Sequence, residues 1–486
     1  PPPPPPFSSR RRHTRYQSLS RGLGDVYKRQ GLLDTIFRDR ETARQSGRQP
    51  LDYPMNSPEL LAPAGTLRNM RYAFAYGADA VYAGMPRYSL RVRNNDFLED
   101  NLRTGIDEAH RQGRQFFLAT NTMPHGAKLK TFLDDIAPVV AMRPDALIMA
   151  DPGLIMLVRE RWPEMPIHLS VQANTVNAAG VRFWQSVGLT RVILSRELSL
   201  DEVAEIRQAC PDMEIEVFVH GALCIAYSGR CLLSGYFNHR DANQGTCTNS
   251  CRWDYKIARE ELDAVAEIPL AEIERHPEAD EVYYLEERER PGEFMPIFED
   301  EHGTYIMNSR DLRAVEHVQR LTEIGVDCLK IEGRTKSHYY TARTTQVYRR
   351  AIDDAVAQRP FDPGLLAELE SLANRGYTDG FLQRHASQDL QNYRQGSSSS
   401  ARSQFVAEVA GIDPTTGLSR LRVKNKFRVG DQMELLAPDG NRRFRLETML
   451  DKQGNLLDEV PGGGWEVSVR LPEGAGEMAL LTRISP

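Results

Sequence analysis

Four cysteines, Cys224, Cys231, Cys247 and Cys251, crowd into one stretch of a 486-residue chain that holds only six. Their pattern, C-x6-C-x15-C-x3-C, supplies four thiolates, enough to enclose a Zn²⁺ ion or an iron–sulfur cluster. Structural zinc sites usually use two tight hooks, and here only Cys247 and Cys251 form one. The wider pair, Cys224 and Cys231, with Gly229 and small residues between, suits ligands spread around a larger inorganic core. On the residues alone the cluster, the zinc ion and a set of free structural thiols all stand, with the spacing on the side of the cluster. Cys210 and Cys328 fall in a helix-like segment and a strand, where a single cysteine behaves as a small hydrophobe. Cysteines gathered in one place and sparse elsewhere suggest a reducing compartment, and the cytoplasm is the expected location.

The segment EVFVHGALCIAYSGRCLLSGY leads into the first two of these cysteines. Along it Glu216, Phe218 and His220 share one parity of a strand, opposite to Ile215, Val217 and Val219. Glu216 is thereby expected to point away from the aliphatic row, where a carboxylate needs a cation, hydrogen bonds or a function. His220 adjoins the cysteine loop and could move a proton, although a single histidine at a strand end also serves as a structural group. A second turn, Glu332-Gly333-Arg334-Thr335-Lys336, offers one further carboxylate and two cations. Glu216, His220 and Glu332 are the candidate acid–base groups. Arg334 and Lys336, with Arg196, are the candidate ligands for a dicarboxylate or an RNA phosphate, since Arg grips either through two parallel hydrogen bonds. Arg91, Arg93, Gln172, Asn174 and Glu197 could complete the rim. Neither a G-x-S-x-G elbow nor an H-E-x-x-H helix occurs, and ligation would consume the clustered thiols, so proteolysis is the weaker enzymatic reading.

The elements that must position these groups alternate short apolar runs with helical patterns. Candidate strands are 59–62, 80–83, 115–119, 146–149, 167–171, 191–194, 214–219 and 328–331. Between the first two, Leu67, Met70 and Phe74 line one helix face, which Gly77 closes. This count predicts a TIM-like (β/α)₈ barrel, with a doubly wound open sheet as the other α/β solution. Sites in such barrels form at the carboxyl ends of the strands, where Cys224, Arg196 and Arg334 fall. An insertion of about 236–311 follows strand seven; its acidic part, 259–300, reads as a solvated helix or a surface excursion. The expected domains are an extension at 1–54, the barrel at 55–394, a QGSSSS-bearing linker at 395–402 and a small β-barrel at 403–486.

In that last part Arg420, Arg422, Lys424, Lys426 and Arg428 recur at every second residue, so one extended strand would place all five cations on one side. Such a side can track an RNA backbone, or simply be the wet face of an antiparallel strand. Arg442, Arg443 and Arg445 are expected to extend it. Its sign stands out because the formal net charge is -6, and residues 1–50 hold 11 Lys/Arg against 4 Asp/Glu, leaving 50 against 63 for the rest. A molecule this acidic repels phosphate as a whole, so any RNA contact must be local. Residues 1–30, a proline run and then a basic string, resemble translated sequencing-adapter sequence, and Met55 is the expected start. No apolar stretch approaches the roughly 20 residues needed to cross a bilayer.

The loop resembles the collagenase-like peptidase U32 family, whose signature is matched by Glu216, Phe218, Gly221, Ala222, Leu223, Cys224, Gly229, Cys231, Leu233 and Ser234. The segments HLSVQAN, NQGTCTNSCRW and LKIEGRTKSHYY resemble the tRNA-hydroxylating branch of that family. The resemblance implies an iron–sulfur enzyme carrying a 4Fe-4S cluster on the four cysteines, which converts the wobble uridine 34 of tRNA to 5-hydroxyuridine with prephenate as co-substrate. Sister branches hydroxylate a ribosomal RNA cytidine or the ubiquinone ring; the first has a longer chain and the second lacks the appended barrel. The alternatives to this reading are a peptidase of the same family and a noncatalytic RNA-binding module with a structural zinc site.

Overall fold

The computed structural model describes residues 57–85, 87–90, 96–224, 226–228, 230–231, 283–286, 294–300, 303–305, 310–383 and 403–484. Seven parallel strands follow one another in register: β1 Glu59–Pro63, β2 Ala80–Gly84, β3 Gln115–Ala119, β4 Ala146–Met149, β5 Ile167–Leu169, β6 Arg191–Ile193 and β7 Glu214–Ala222. After the insertion an eighth, β12 Cys328–Ile331, pairs in parallel with both β7 and β1. That double pairing closes the barrel and excludes the open sheet.

Helices α1 Leu67–Ala75, α2 Glu99–Arg111, α3 Gly126–Ala141, α4 Pro152–Arg161, α5 Ala178–Ser186, α6 Leu200–Ala209, α7 Val318–Ile324 and α8 His338–Val356 accompany the strands. Local chemistry starts several of them. Thr66 accepts from the Asn69 amide at the head of α1, and Asp151 caps α4 just before a proline at its first position. Ser199 and Glu202 form a reciprocal capping box on α6. Each helix lays an apolar stripe on the sheet, as Met70 and Phe74 do from α1, and these join Leu60, Val81, Phe116, Leu147 and Leu329 in one core.

Of the insertion, three short strands are described: β8 Tyr283–Glu286, β9 Phe294–Asp300 and β10 Gly303–Tyr305, paired antiparallel. Extended pairing over these residues replaces the helix considered for the end of the acidic stretch. Strand β11 Asp311–Arg313 then returns antiparallel against the end of β7, and β13 Tyr377–Thr378, beyond the short helix α9 Gly364–Glu370, pairs with β11. Cys247, Cys251, Arg91, Arg93, the extension at 1–54 and the linker at 395–402 lie outside the described residues.

The C-terminal part contains β14 Ser403–Ile412, β15 Ser419–Val423, β16 Phe427–Arg428, β17 Gln432–Leu436, β18 Arg442–Arg445, β19 Met449–Leu450, β20 Glu459–Val460, β21 Glu466–Val469 and β22 Leu480–Ile484. Seven of these form an antiparallel half-barrel in the order β18-β17-β22-β14-β15-β21-β19, and β16 pairs with β20 in a separate ribbon. Val406, Leu421, Val423, Met433, Val467 and Leu481 fill its core. The half-barrel docks on α1 and α8. Arg343 of α8 is fully buried and pairs with Glu434 of β17 and, at 3.3 Å, with Glu368. The Tyr76 hydroxyl reaches the carbonyls of Leu436 and Met478 at 2.8 and 2.9 Å, and Tyr339 stacks on Phe405 with ring centroids 5.0 Å apart. Among the described residues no helix is long and apolar enough to cross a membrane.

Candidate active site at the barrel mouth

Below the mouth, the barrel is lined with charge. The carboxylate of Glu216, fully buried on β7, lies 2.6 Å from Lys330 Nζ on β12 and 3.4 Å from Arg191 on β6. Arg191 also pairs with Glu59 at 2.7 Å and Glu214 at 2.8 Å. Glu59, Arg191 and Glu214 each open a strand, so this network occupies the amino-terminal end of the barrel and rises to Glu216 and Lys330. Burial pushes the Lys330 ammonium down from its ordinary range, and the adjacent Glu216 carboxylate opposes the shift. Glu216 thus points inward as its parity requires, and its charge is met by Lys330 and Arg191. His168, on β5, packs its ring 4.7 Å from Phe117; burial, with Arg191 and Lys330 nearby, holds it well below the usual imidazole range.

Two aromatic rings separate this network from the mouth. Lys330 Nζ lies 4.4 Å from the Tyr82 ring centroid and 5.3 Å from that of Phe218. Two guanidinium groups approach the same rings. Arg196, following β6, sits 3.9 Å from the Phe218 centroid and donates to the Ala222 carbonyl at 3.0 Å. Arg334, following β12, lies 5.6 Å from the Tyr82 centroid and donates to Ser89 Oγ at 2.6 Å and to the Leu90 carbonyl. Gly84, at the end of β2, makes room for it, since a Cβ there would stand 2.3 Å from an Arg334 nitrogen. Arg196 and Arg334 therefore converge on the mouth. Lys336 does not join them, because its ammonium turns to the Tyr340 ring, 5.4 Å away, at the head of α8.

His220 departs from its expected side. The pairing of β12 with β7 shifts register between Lys330, opposite Phe218, and Ile331, opposite His220. This irregularity reverses the alternation. The imidazole packs against Tyr340, Tyr348 and Tyr377 at centroid distances of 5.8, 5.5 and 5.5 Å, with Tyr340 and Tyr348 both on α8. Tyr348 spends its hydroxyl hydrogen on the Val219 carbonyl at 2.7 Å, which leaves His220 Nδ1, 3.4 Å away, as the donor to the Tyr348 oxygen. Burial lowers this histidine to about 3. Glu332, half-buried, donates its amide N–H to the His220 carbonyl at 2.8 Å, and its own carbonyl accepts from the Tyr340 hydroxyl at 2.7 Å. Gly221, at φ 109°, lets this crossing happen, for a Cβ would stand 2.6 Å from the Glu332 carbonyl oxygen.

Strand β7 runs three residues further than the sequence pattern suggests and delivers the cysteine loop to the mouth. Cys224 is exposed and Cys231 half-buried, and both thiols are free. Asn174, left-handed at φ 52°, pins the loop by donating to the Ser228 carbonyl at 2.8 Å. Gln172 accepts from Asn121 at 2.9 Å on the same rim. Cys224 and Cys231 are soft donors on a loop pinned at Ser228, a donor chemistry that suits a thiolate-ligated metal group.

Of the basic stripe, Arg420, Arg422, Lys424, Lys426 and Arg428 are all exposed, as expected. The single extended strand is not observed: β15 ends at Val423, the chain bends at Asn425, and Arg428 belongs to the β16–β20 ribbon. Lys424 lies 3.3 Å from Glu408, Lys426 2.7 Å from Glu459 and Arg428 3.6 Å from Asp431. Arg442, Arg443 and Arg445 do not extend the stripe, because β17, β22 and β14 separate β18 from β15, roughly 19 Å at the usual strand spacing. Glu408 is shared: Arg68 at the head of α1, His338 at the head of α8, at 2.9 Å, and Lys424 all contact it. In a parallel barrel those helix heads lie on the mouth side, so Lys424 and the neighbouring Arg422 stand at that end of the molecule.

Sequence reasoning missed Arg191, Lys330 and Tyr82, and named Phe218 only for its strand parity and its place in the family signature. The inward parity of Lys330 between aliphatic residues was the available signal for one of them.

A closed (β/α)₈ barrel with paired arginines and a thiol-bearing loop at its carboxyl mouth defines a class of enzyme-like barrels. Within it, residues 65–392 match the model of peptidase family U32 and residues 401–482 that of the U32 C-terminal domain, and the chain belongs to this family. The tRNA hydroxylation protein P of Escherichia coli K12 is 62% identical over 430 residues, covering 86% of this chain and 95% of its own. Its counterpart in Haemophilus influenzae is 58% identical over 441 residues, covering 88% and 96%. The E. coli 23S rRNA 5-hydroxycytidine C2501 synthase is 31% identical over 333 residues, 67% of this chain and 45% of that one. Among solved structures, the U32 peptidase Mk0906 aligns over 57% of this chain and 93% of its own at 12% identity, with a TM-score of 0.34.

Proposed function

We propose that this chain hydroxylates tRNA, converting the wobble uridine 34 to 5-hydroxyuridine with prephenate as co-substrate. The observation that carries this reading is the 62% identity, across 95% of its length, to a relative named as a tRNA hydroxylation protein. An iron–sulfur cluster on Cys224, Cys231, Cys247 and Cys251 would supply electron-transfer or Lewis-acid chemistry at the mouth. The chain's own residues bind and orient. Arg196 and Arg334 hold the carboxylated co-substrate over the aromatic floor, and Asn174 fixes the cysteine loop beside it. The uridine enters splayed from the single-stranded anticodon loop, where unstacking costs little. The basic residues at the mouth-side edge of the half-barrel meet the tRNA backbone.

The family's peptidase label is less well supported by the site. His220 faces three tyrosines rather than a serine or thiol, and its low basicity suits it poorly to activate a nucleophile. Nucleoside analysis of bulk tRNA from cells lacking the protein tests the proposal. Loss of 5-hydroxyuridine and its derivatives, restored by the wild-type chain, is expected. Unchanged levels in a host with no parallel route would refute it. Iron, sulfide and zinc determination on anaerobically purified protein tests the cofactor, and stoichiometric zinc without iron would exclude the cluster.

A further inference from the structure

We infer that Phe218 and Tyr82 are positioning residues for an anion site at the mouth, with Arg196 as the anion's principal ligand. This rests on the co-substrate reading above and adds how the ligand is held. Phe218 and Tyr82 are both nearly inaccessible, at 7% and 6% exposure, and neither could reach a ligand by a polar contact at its ring face. Their positions are informative instead. Each ring is shared between Lys330 and one arginine: Phe218 between Lys330 at 5.3 Å and Arg196 at 3.9 Å, Tyr82 between Lys330 at 4.4 Å and Arg334 at 5.6 Å. A ring face attracts a cation through its quadrupole, and it fixes the plane of a guanidinium stacked on it.

The charges in this column are unequally compensated. Lys330 has Glu216 at 2.6 Å. Arg196 has no carboxylate partner among the described residues; it donates to the neutral Ala222 carbonyl, and its Nε is buried without a hydrogen-bond partner. A buried guanidinium nitrogen without an acceptor is costly, and a carboxylate drawn to this half-buried arginine would offset that cost through its charge. Stacking on Phe218 holds the Arg196 fork in one plane, which favours a carboxylate engaged through two parallel bonds. The ligand class is accordingly a small dianion bearing at least one carboxylate, bound between Arg196 and Arg334 above the Tyr82–Phe218 floor.

Calorimetric titration of the holoprotein with prephenate, and separately with malonate as a plain dicarboxylate, tests this in wild type, F218L, F218Y and R196K. F218L should weaken binding about tenfold and F218Y less than about twofold, because tyrosine keeps the ring face that leucine lacks. R196K should also lose about tenfold, since an ammonium cannot form the paired bonds. In turnover assays the F218L effect should fall on KM, with kcat retained. Equal weakening in F218L and F218Y, or wild-type affinity in F218L, would overturn the positioning role. Wild-type binding of malonate but not prephenate would leave the anion site standing and remove the co-substrate assignment, while no binding of either would remove both. Thermal midpoints near wild type for F218Y and R196K would separate these outcomes from misfolding.

Discussion

At the scale of single residues, His220 carries the clearest consequence. Its folded value of about 3 lies far below the roughly 6.5 of an unfolded chain. Between these values the unfolded chain binds the proton and the folded one does not, so protonation favours unfolding. Stability from the neutral ring is complete above about pH 6.5 and is lost as pH falls toward 3, at up to about 1.4 kcal/mol per unit. Replacing His220 with Phe, which can fill the space among the three tyrosines, should flatten the acid limb of urea midpoints measured from pH 7 to 4. A limb of unchanged slope would place the acid sensitivity elsewhere, with His168 as the next group to replace. The sequence identified His220 as a residue of interest but placed it on the wrong side, because parity counting cannot see a register shift that depends on a strand distant in the chain. For Glu216 the same counting succeeds, since no irregularity intervenes between it and the start of the strand.

At the scale of elements, the strands were readable because each is a short apolar run bounded by polar or turn residues, and both Gln115–Ala119 and Cys328–Ile331 match their expected limits. Less readable was whatever depended on contact across the sheet. The basic stripe has the alternation of one strand, yet the chain bends at Asn425, where its side chain donates to the Phe405 carbonyl at 2.7 Å instead of continuing the ladder. Similarly, the pairing of Arg334 with Lys336 followed from adjacency in sequence, whereas the turn sends one inward and the other to α8. Strand β2 provides a test of how tightly the inward one is packed. Gly84→Ala would place a methyl group where the Arg334 guanidinium lies, and should cost about 1–3 kcal/mol in denaturant-derived stability. It should also weaken dicarboxylate binding several-fold. A fully stable G84A with unaltered binding would mean that Arg334 is free to move aside.

At the scale of the whole molecule, the barrel and half-barrel share buried polar contacts, including Arg343 with Glu434 and the Gln346 amide with the Ala437 carbonyl at 2.8 Å. Removing Arg343 by substitution to Ala should leave Glu434 buried without its cation and destabilise the protein by about 3–5 kcal/mol, read by urea denaturation. For RNA, the exposed pair Arg420 and Arg422 is the more informative target, since Lys424, Lys426 and Arg428 each form an ion pair, whereas Arg420 and Arg422, although near Asp413 and Glu466, form none among the described residues. Changing both arginines to Glu should weaken tRNA binding and lower the salt dependence by roughly 0.7 per lost single-stranded phosphate contact. An unchanged salt slope would move the RNA surface elsewhere. Glu408, meanwhile, is raised by burial but drawn down overall to about 2 by His338 and Arg68, so it is ionised at neutral pH. Because that one carboxylate joins two helix heads to the edge carrying Arg422 and Lys424, the RNA-binding edge and the reaction chamber of the proposed function would be set at a constant spacing, like the jaws of a locked caliper. On that proposal a substrate loop would have to span the gap by its own length, and loops too short to do so would be rejected before any chemistry begins.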